Sequence, residues 1–159
     1  MDETVRLKTL VATKDHITLV RDLLNIMVEE LLTRGEKHDQ SKLEDPELEM
    51  FATYTDKLSK TTYGSDEYKQ YLKEMGPALQ HHYSNNKHHP EHYVDGVAGM
   101  TLVDLMEMMV DWYASSKRHA DGDIRKSIEH NQNRFGLTPQ LTSILLNTAA
   151  LLDEKRKGC

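Results

Sequence analysis

Cysteine is nearly absent: the one thiol, Cys159, is the last residue of the 159. No intrachain disulfide can form and no thiolate metal site is available, which fits a reducing, cytoplasmic compartment. A basic excess is missing too, since 20 Lys and Arg stand against 26 Asp and Glu, a net charge of -6. Phosphate backbones are held by basic surfaces, so a nucleic-acid partner is not expected, whereas a small anionic ligand in a locally positive site is compatible with the charge. No apolar run approaches the roughly 18–20 residues that a membrane span needs, and nothing at the N-terminus reads as a signal peptide. Val, Ile and Thr never alternate with polar residues for long, which removes the strand signal.

What remains is apolar residues at helical spacing from end to end. The expected fold is all-α, a single compact helical bundle spanning 1–159, with a core of about 13–120 and C-terminal helices over 121–155. A first amphipathic helix is predicted from Thr13 to Arg34, closed by Gly35, with Val20, Leu23, Leu24, Met27, Val28 and Leu31 facing inward and His16 on the same face. A second helical stretch should begin near Lys37. Asp45 and Pro46 suit the cap and first residue of a further helix with Leu48, Phe51 and Tyr54 inward. A polar loop containing Gly64 precedes a short helix through Tyr68, Tyr71 and Leu72, broken by Gly76 and Pro77. "EHYVDGVAGM" reads as an irregular loop, suited to covering a site. Thr101 and Asp104 form a capping-box pair for a helix reaching about Ala120. Asp121 or Asp123 opens the next helix, which Gly136 ends. Thr138 and Pro139 open the last, with Leu141, Ile144, Leu145, Ala149 and Leu152 as its stripe and "DEKRKG" as a frayed end.

The stretch "HHYSNNKHHPEHY", residues 81–93, places five histidines in thirteen positions. Solubility does not require this, because neutral imidazole solvates a surface less well than Lys or Glu. Other residues stand out singly: His16, the pair His38 and Asp39 in "KHDQSK", the trio Asp104, Glu107 and Asp111 on one helix face, and Arg118. Asp111 sits among apolar neighbours in "MMVDWY", where an unpaired buried carboxylate costs several kcal/mol and a cation would compensate it. Imidazole and carboxylate donors together suit divalent Mn, Fe, Co, Ni, Zn or Mg without selecting among them.

The order H, HD, further histidines, D resembles the HD-domain superfamily of metal-dependent phosphohydrolases, and the likeness runs from His16 to Asp111. More closely, "HDQSK", "HHYSNNKHH" and "EMMVDWYASS" are similar to a family of small bacterial and phage proteins of unassigned function. The absence of a histidine between Asp39 and His81, and of a glycine-rich turn, sets the chain apart from the cyclic-dinucleotide phosphodiesterase branch.

The resemblance implies that His16, His38, Asp39 and Asp111 hold a metal ion, with His82 as an additional ligand and His81 its competitor. His88 and His89 would hold a second ion or meet phosphate oxygens. Metal-bound water would be the nucleophile, Lys42 would meet phosphate, and Glu47 would relay a proton. Asn86, Glu107 and Arg118 are further candidates for substrate or second-metal contacts. The implied activity is that of a hydrolase acting on a nucleotide or other small phosphate ester with one or two divalent ions. Two other readings stay open: an HD-fold diiron oxygenase, and a non-catalytic protein that sequesters nucleotides.

Overall fold

The computed structural model describes residues 2–62, 65–118 and 122–158; Gly64, Ala120 and Asp121 lie outside them. The architecture is all-α, with no strand among the described residues. Helices α1 (Glu3–Lys37), α2 (Glu47–Lys60), α3 (Asp66–Glu74), α4 (Gly76–Asn85), α5 (Leu102–Ser116), α6 (Ile124–Phe135) and α7 (Pro139–Lys157) follow in chain order. Short 3-10 turns at Gln40–Leu43, Pro90–His92 and Gly96–Gly99 punctuate them. Among the described residues, no helix is long and apolar enough to cross a membrane. The chain divides into two units, Met1–Lys37 and His38–Cys159.

The first unit is α1. It starts ten residues before the expected Thr13 because Asp2 caps it, its carboxylate accepting from the Thr4 N–H at 2.9 Å. Thr13 is no cap but a mid-helix residue whose hydroxyl donates back to the Thr9 carbonyl at 2.8 Å. Gly35 keeps a negative φ and the helix runs through it to Lys37. The apolar stripe from Val20 to Val28, expected to face inward, is exposed, and so is His16. Helical spacing marks a face but does not say what covers it.

The second unit contains the core. Met109 and Tyr113 of α5, Ile124 and Ile128 of α6, Leu137, and Leu145 and Ala149 of α7 pack together, with Trp112 and Phe135 half-buried at the edge. The stripe on α7 is narrower than expected, for Ile144 is exposed. In α2, likewise, Leu48 is exposed while Phe51 and Tyr54 are half-buried.

Local chemistry sets most helix ends. Thr101 and Asp104 form the expected capping box, Asp123 caps α6 through the Arg125 N–H, and Thr138 caps α7 through the Leu141 N–H. Gly136 ends α6 in the left-handed conformation at φ 63° that its missing Cβ permits. The α7 helix continues to Lys157 instead of fraying at Asp153, and Lys155, Arg156 and Lys157 in its last turn complement the helix dipole. Asp45 does not cap α2; Pro46 holds that position without a side-chain bond.

Residues 90–99 are ordered into two 3-10 turns, not the irregular loop expected. Tyr93 donates its hydroxyl to Asp104 at 2.8 Å, and Gly99 lies so close that a Cβ there would meet the Tyr93 Cβ at 2.9 Å. Asp104, the first member of the acidic trio, is thereby committed to capping α5 and anchoring this segment.

Candidate metal centre

The HD pair begins the second unit. The sequence leads one to expect a helix here, with adjacent side chains roughly 100° apart. The backbone instead turns at His38 and Asp39, and Asp39 takes a left-handed conformation, φ 56° and ψ 15°. Asp tolerates that region better than most residues do. The following 3-10 turn carries Ser41 and Lys42. Lys42 Nζ is 2.6 Å from Asp39 Oδ2.

Helix α4 supplies His81 and His82, and the segment after it supplies His88 and His89. Glu47, fully buried at the start of α2, fixes the first pair: His81 Nδ1 is 2.7 Å from its Oε1, and His82 Nδ1 is 2.8 Å from its Oε2. With its Nδ1 proton committed to Glu47, His82 directs an Nε2 lone pair toward His89 Nε2 at 2.8 Å. Only a proton or a shared cation between two such nitrogens makes that approach attractive. Glu107 of α5 holds His38 in the same way, accepting from Nδ1 at 2.9 Å. Its Oε1 also lies 3.0 Å from His88 Nδ1, out of line for a hydrogen bond.

Three groups of donors could therefore hold a metal ion: Asp39, His82, His88 and His89; His38, Asp39 and Asp111; and His38, His88 and Glu107. Donors on one ion, bound at about 2.0–2.2 Å and at angles from 90° to tetrahedral, stand roughly 2.8–3.6 Å apart. In the first group Asp39 Oδ1 is 3.4 Å from His82 Nε2 and 3.6 Å from His88 Nε2, beside the 2.8 Å approach of His82 to His89. In the second, His38 Nε2 is 3.5 Å from Asp39 Oδ2 and 3.6 Å from Asp111 Oδ1. Both sets fit. Among the described residues, buried Asp39 Oδ1 and His88 Nε2 have no hydrogen-bond partner, a costly state that a cation would relieve.

The electrostatics distinguish the groups. The Asp111 and Glu107 carboxylates hold His38 up at about 10, so its Nε2 keeps a proton that a metal ion would have to displace in order to use that nitrogen. Burial pushes His89 down to about 3, helped by His88 and His82, and burial with the nearby Lys42 lowers His82, leaving both as neutral imidazoles. Burial alone would raise Asp39, but the hydrogen bond and charge of Lys42, with His38 and His82, hold it below the ordinary value. For Asp111, similarly, burial is outweighed by the His38 hydrogen bond and the charges of His88, His38 and Lys42.

Of the residues singled out in the sequence, the fold brings together His38, Asp39, Lys42, Glu47, His81, His82, Asn86, His88, His89, Glu107 and Asp111. His16 lies on α1 and belongs to none of the three groups. Arg118 is exposed in the turn after α5. Asn86 is buried, and its amide donates to the Ser41 hydroxyl and the His82 carbonyl, each at 2.8 Å, closing α4. His92 contacts the Tyr83 carbonyl through Nδ1 at 2.8 Å and serves the loop. Ser41, part of "HDQSK" but given no role there, donates to Glu47 at 3.1 Å and accepts from Asn86.

Glu47→Gln separates two roles for this carboxylate. A carboxamide has one oxygen where the carboxylate has two, so it cannot accept from both imidazoles. If Glu47 orients His82, metal affinity should fall roughly 10–100-fold, read by metal titration under chelator competition. Unchanged affinity with reduced turnover would instead support a proton relay.

Fold and cluster together define an all-helical protein whose histidines and carboxylates could hold a metal ion. Over residues 6–151 the chain matches a family of unknown function, DUF5662, and belongs to it. No curated protein and no solved structure matches the chain.

Proposed function

We propose that the protein is a metal-dependent phosphohydrolase of the HD-domain type, acting on a small phosphate ester such as a nucleotide and using one or two divalent ions. The observation that carries this reading is the convergence of Asp39 Oδ1 and His88 Nε2, both buried without a hydrogen-bond partner among the described residues, on His82 and His89. Asp39, His82, His88 and His89 would hold one ion, and His38, Asp39 and Asp111 a second. Bound there, a divalent cation lowers the pKa of water and neutralises phosphoryl oxygens.

The chain's own residues supply the rest. Glu47 and Glu107 fix ring orientation and keep Nε2 directed at the centre. Lys42 places an ammonium beside Asp39, where it can meet the charge that develops on a phosphoryl group. In the reaction, water oxygen bonds to phosphorus, the phosphorus–oxygen bond to the leaving group breaks, and the water proton ends on the departing oxygen.

The test is phosphate release by protein stripped of metal and reloaded with Mn, Co, Ni, Zn, Mg or, anaerobically, Fe, against nucleotides, sugar phosphates and a generic phosphodiester. Metal-dependent release from at least one ester is expected. Silence across the whole panel would overturn the reading. Oxygen-dependent turnover by the iron form would then favour the diiron oxygenase, and a retained, unhydrolysed nucleotide the sequestering protein.

A further inference from the structure

A cavity of about 640 Å³ opens between α5 and α6, and two of its lining residues, His89 and Asp111, also belong to the metal groups. That volume suits a small molecule. The remaining wall has a different chemistry. Trp112 and Phe135 line it as a nearly parallel pair, 7° apart with ring centroids at 6.0 Å, and Tyr83 adds a further aromatic ring.

Asn131, on α6, also lines the cavity. The residue is only 8% exposed, yet its carboxamide makes no hydrogen bond to any described residue. Its side-chain polar atoms are still reached by solvent, which at this lining position means the cavity, so the carboxamide can exchange water for a ligand there. A carboxamide sets donors and an acceptor side by side, the complement of the amide or amidine edge of a planar heterocycle. Aromatic walls stack the faces of the same kind of ring.

We propose that this cavity binds the heteroaromatic ring of the substrate's leaving group, a nucleobase, with Asn131 pairing to its edge and Trp112 offering a stacking surface. The phosphate then lies toward His89 and Asp111, which makes a nucleoside monophosphate the substrate class and Asn131 its specificity-determining residue. The direction of the phosphate rests on the phosphohydrolase reading; the binding of the ring does not.

Trp112 is the chain's single tryptophan, so its fluorescence reports on this cavity. The full chain, both metal-free and metal-loaded, is titrated with the 5′-monophosphates of adenosine, guanosine, cytidine and uridine, and with ribose 5-phosphate and inorganic phosphate. Calorimetry on the same samples checks for absorption artefacts. At least one nucleoside monophosphate should quench saturably and bind about tenfold or more tighter than ribose 5-phosphate, with or without metal. Asn131→Leu should lose about tenfold in that affinity, as a base edge left unpaired implies, while binding metal as before. Asn131→Asp, nearly isosteric, removes the amide donors and should change the ranking of the four bases; it serves if the leucine variant does not fold. Equal binding of ribose 5-phosphate and every nucleotide would overturn the proposal, and so would an unchanged ranking in Asn131→Asp. Ring binding without phosphate release would sink only the hydrolase reading. Phosphate release without base preference would sink only this one.

Discussion

Asp39→Asn should leave the protein folded and unable to hold metal. Asn shares the tolerance of Asp for the left-handed backbone at this position, so the turn survives, whereas alanine would add strain there. What disappears is the charge on the two oxygens that face His82 and His88 on one side and His38 and Lys42 on the other. Metal affinity should drop by about two orders of magnitude or more, since a ligand is lost outright where a positioning residue costs roughly 10–100-fold. At an ion concentration 100 times Kd, binding to the native state alone contributes about 2.7 kcal/mol of stability. For a chain of this length that is roughly 5–10 °C in Tm, present in the wild type and missing in the variant. In chelator the two melting curves should nearly coincide. Full metal occupancy of Asp39→Asn by elemental analysis would show that the cluster is not the metal site.

Lys42→Met should do the reverse, keeping metal and losing turnover. The ammonium lies 2.6 Å from a carboxylate oxygen of Asp39, so removing it takes a competing cation away from the centre and cannot weaken metal binding electrostatically. If Lys42 meets the charge developing on the phosphoryl group, kcat should fall by about 10²–10³, the range for loss of one preorganised electrostatic contact. Methionine keeps much of the side chain's length and can remain packed against Phe51, over which the lysine Nζ sits at 5.2 Å. The comparison is made at saturating metal. Undiminished kcat would remove Lys42 from the chemistry, and a fall tracking metal content would make it a structural partner of Asp39.

Local signals are legible at some helix ends and misleading at others, such as Gly35 and Asp45. The boundaries at Thr101, Asp123, Gly136 and Thr138 rest on caps whose chemistry acts over three or four residues, and each stands as expected. The start of α1 was misread because Thr13 resembles a cap in sequence while its hydroxyl bonds backward within a longer helix. Leu48 and Ile144 follow helical spacing and are nonetheless exposed, because spacing assigns a residue to a face and packing decides how wide the covered part is. At the cluster, the resemblance implied His16, His38, Asp39 and Asp111 as metal donors with His82 beside them, and all of these but His16 belong to the donor groups. The partnerships of Glu47 with His82 and of Glu107 with His38 bridge 35 and 69 positions, and only the fold pairs them. Asn131 carries no sequence signal at all, being one asparagine among polar neighbours on α6.

The three donor groups form a closed ring in which every two share one residue: Asp39, His88 or His38. These shared residues differ in what they can give. A carboxylate has two oxygens and can serve an ion on either side, whereas an imidazole whose Nδ1 proton is committed to a carboxylate has one lone pair to offer. His38 is committed in this way to Glu107. Only the two groups that meet at Asp39 are therefore free to fill together, and the third competes with both. The capacity of the centre is thus limited by a single aspartate rather than by the abundance of imidazole around it. Adding a histidine to this already crowded segment would change which ion is preferred before it changed how many are held.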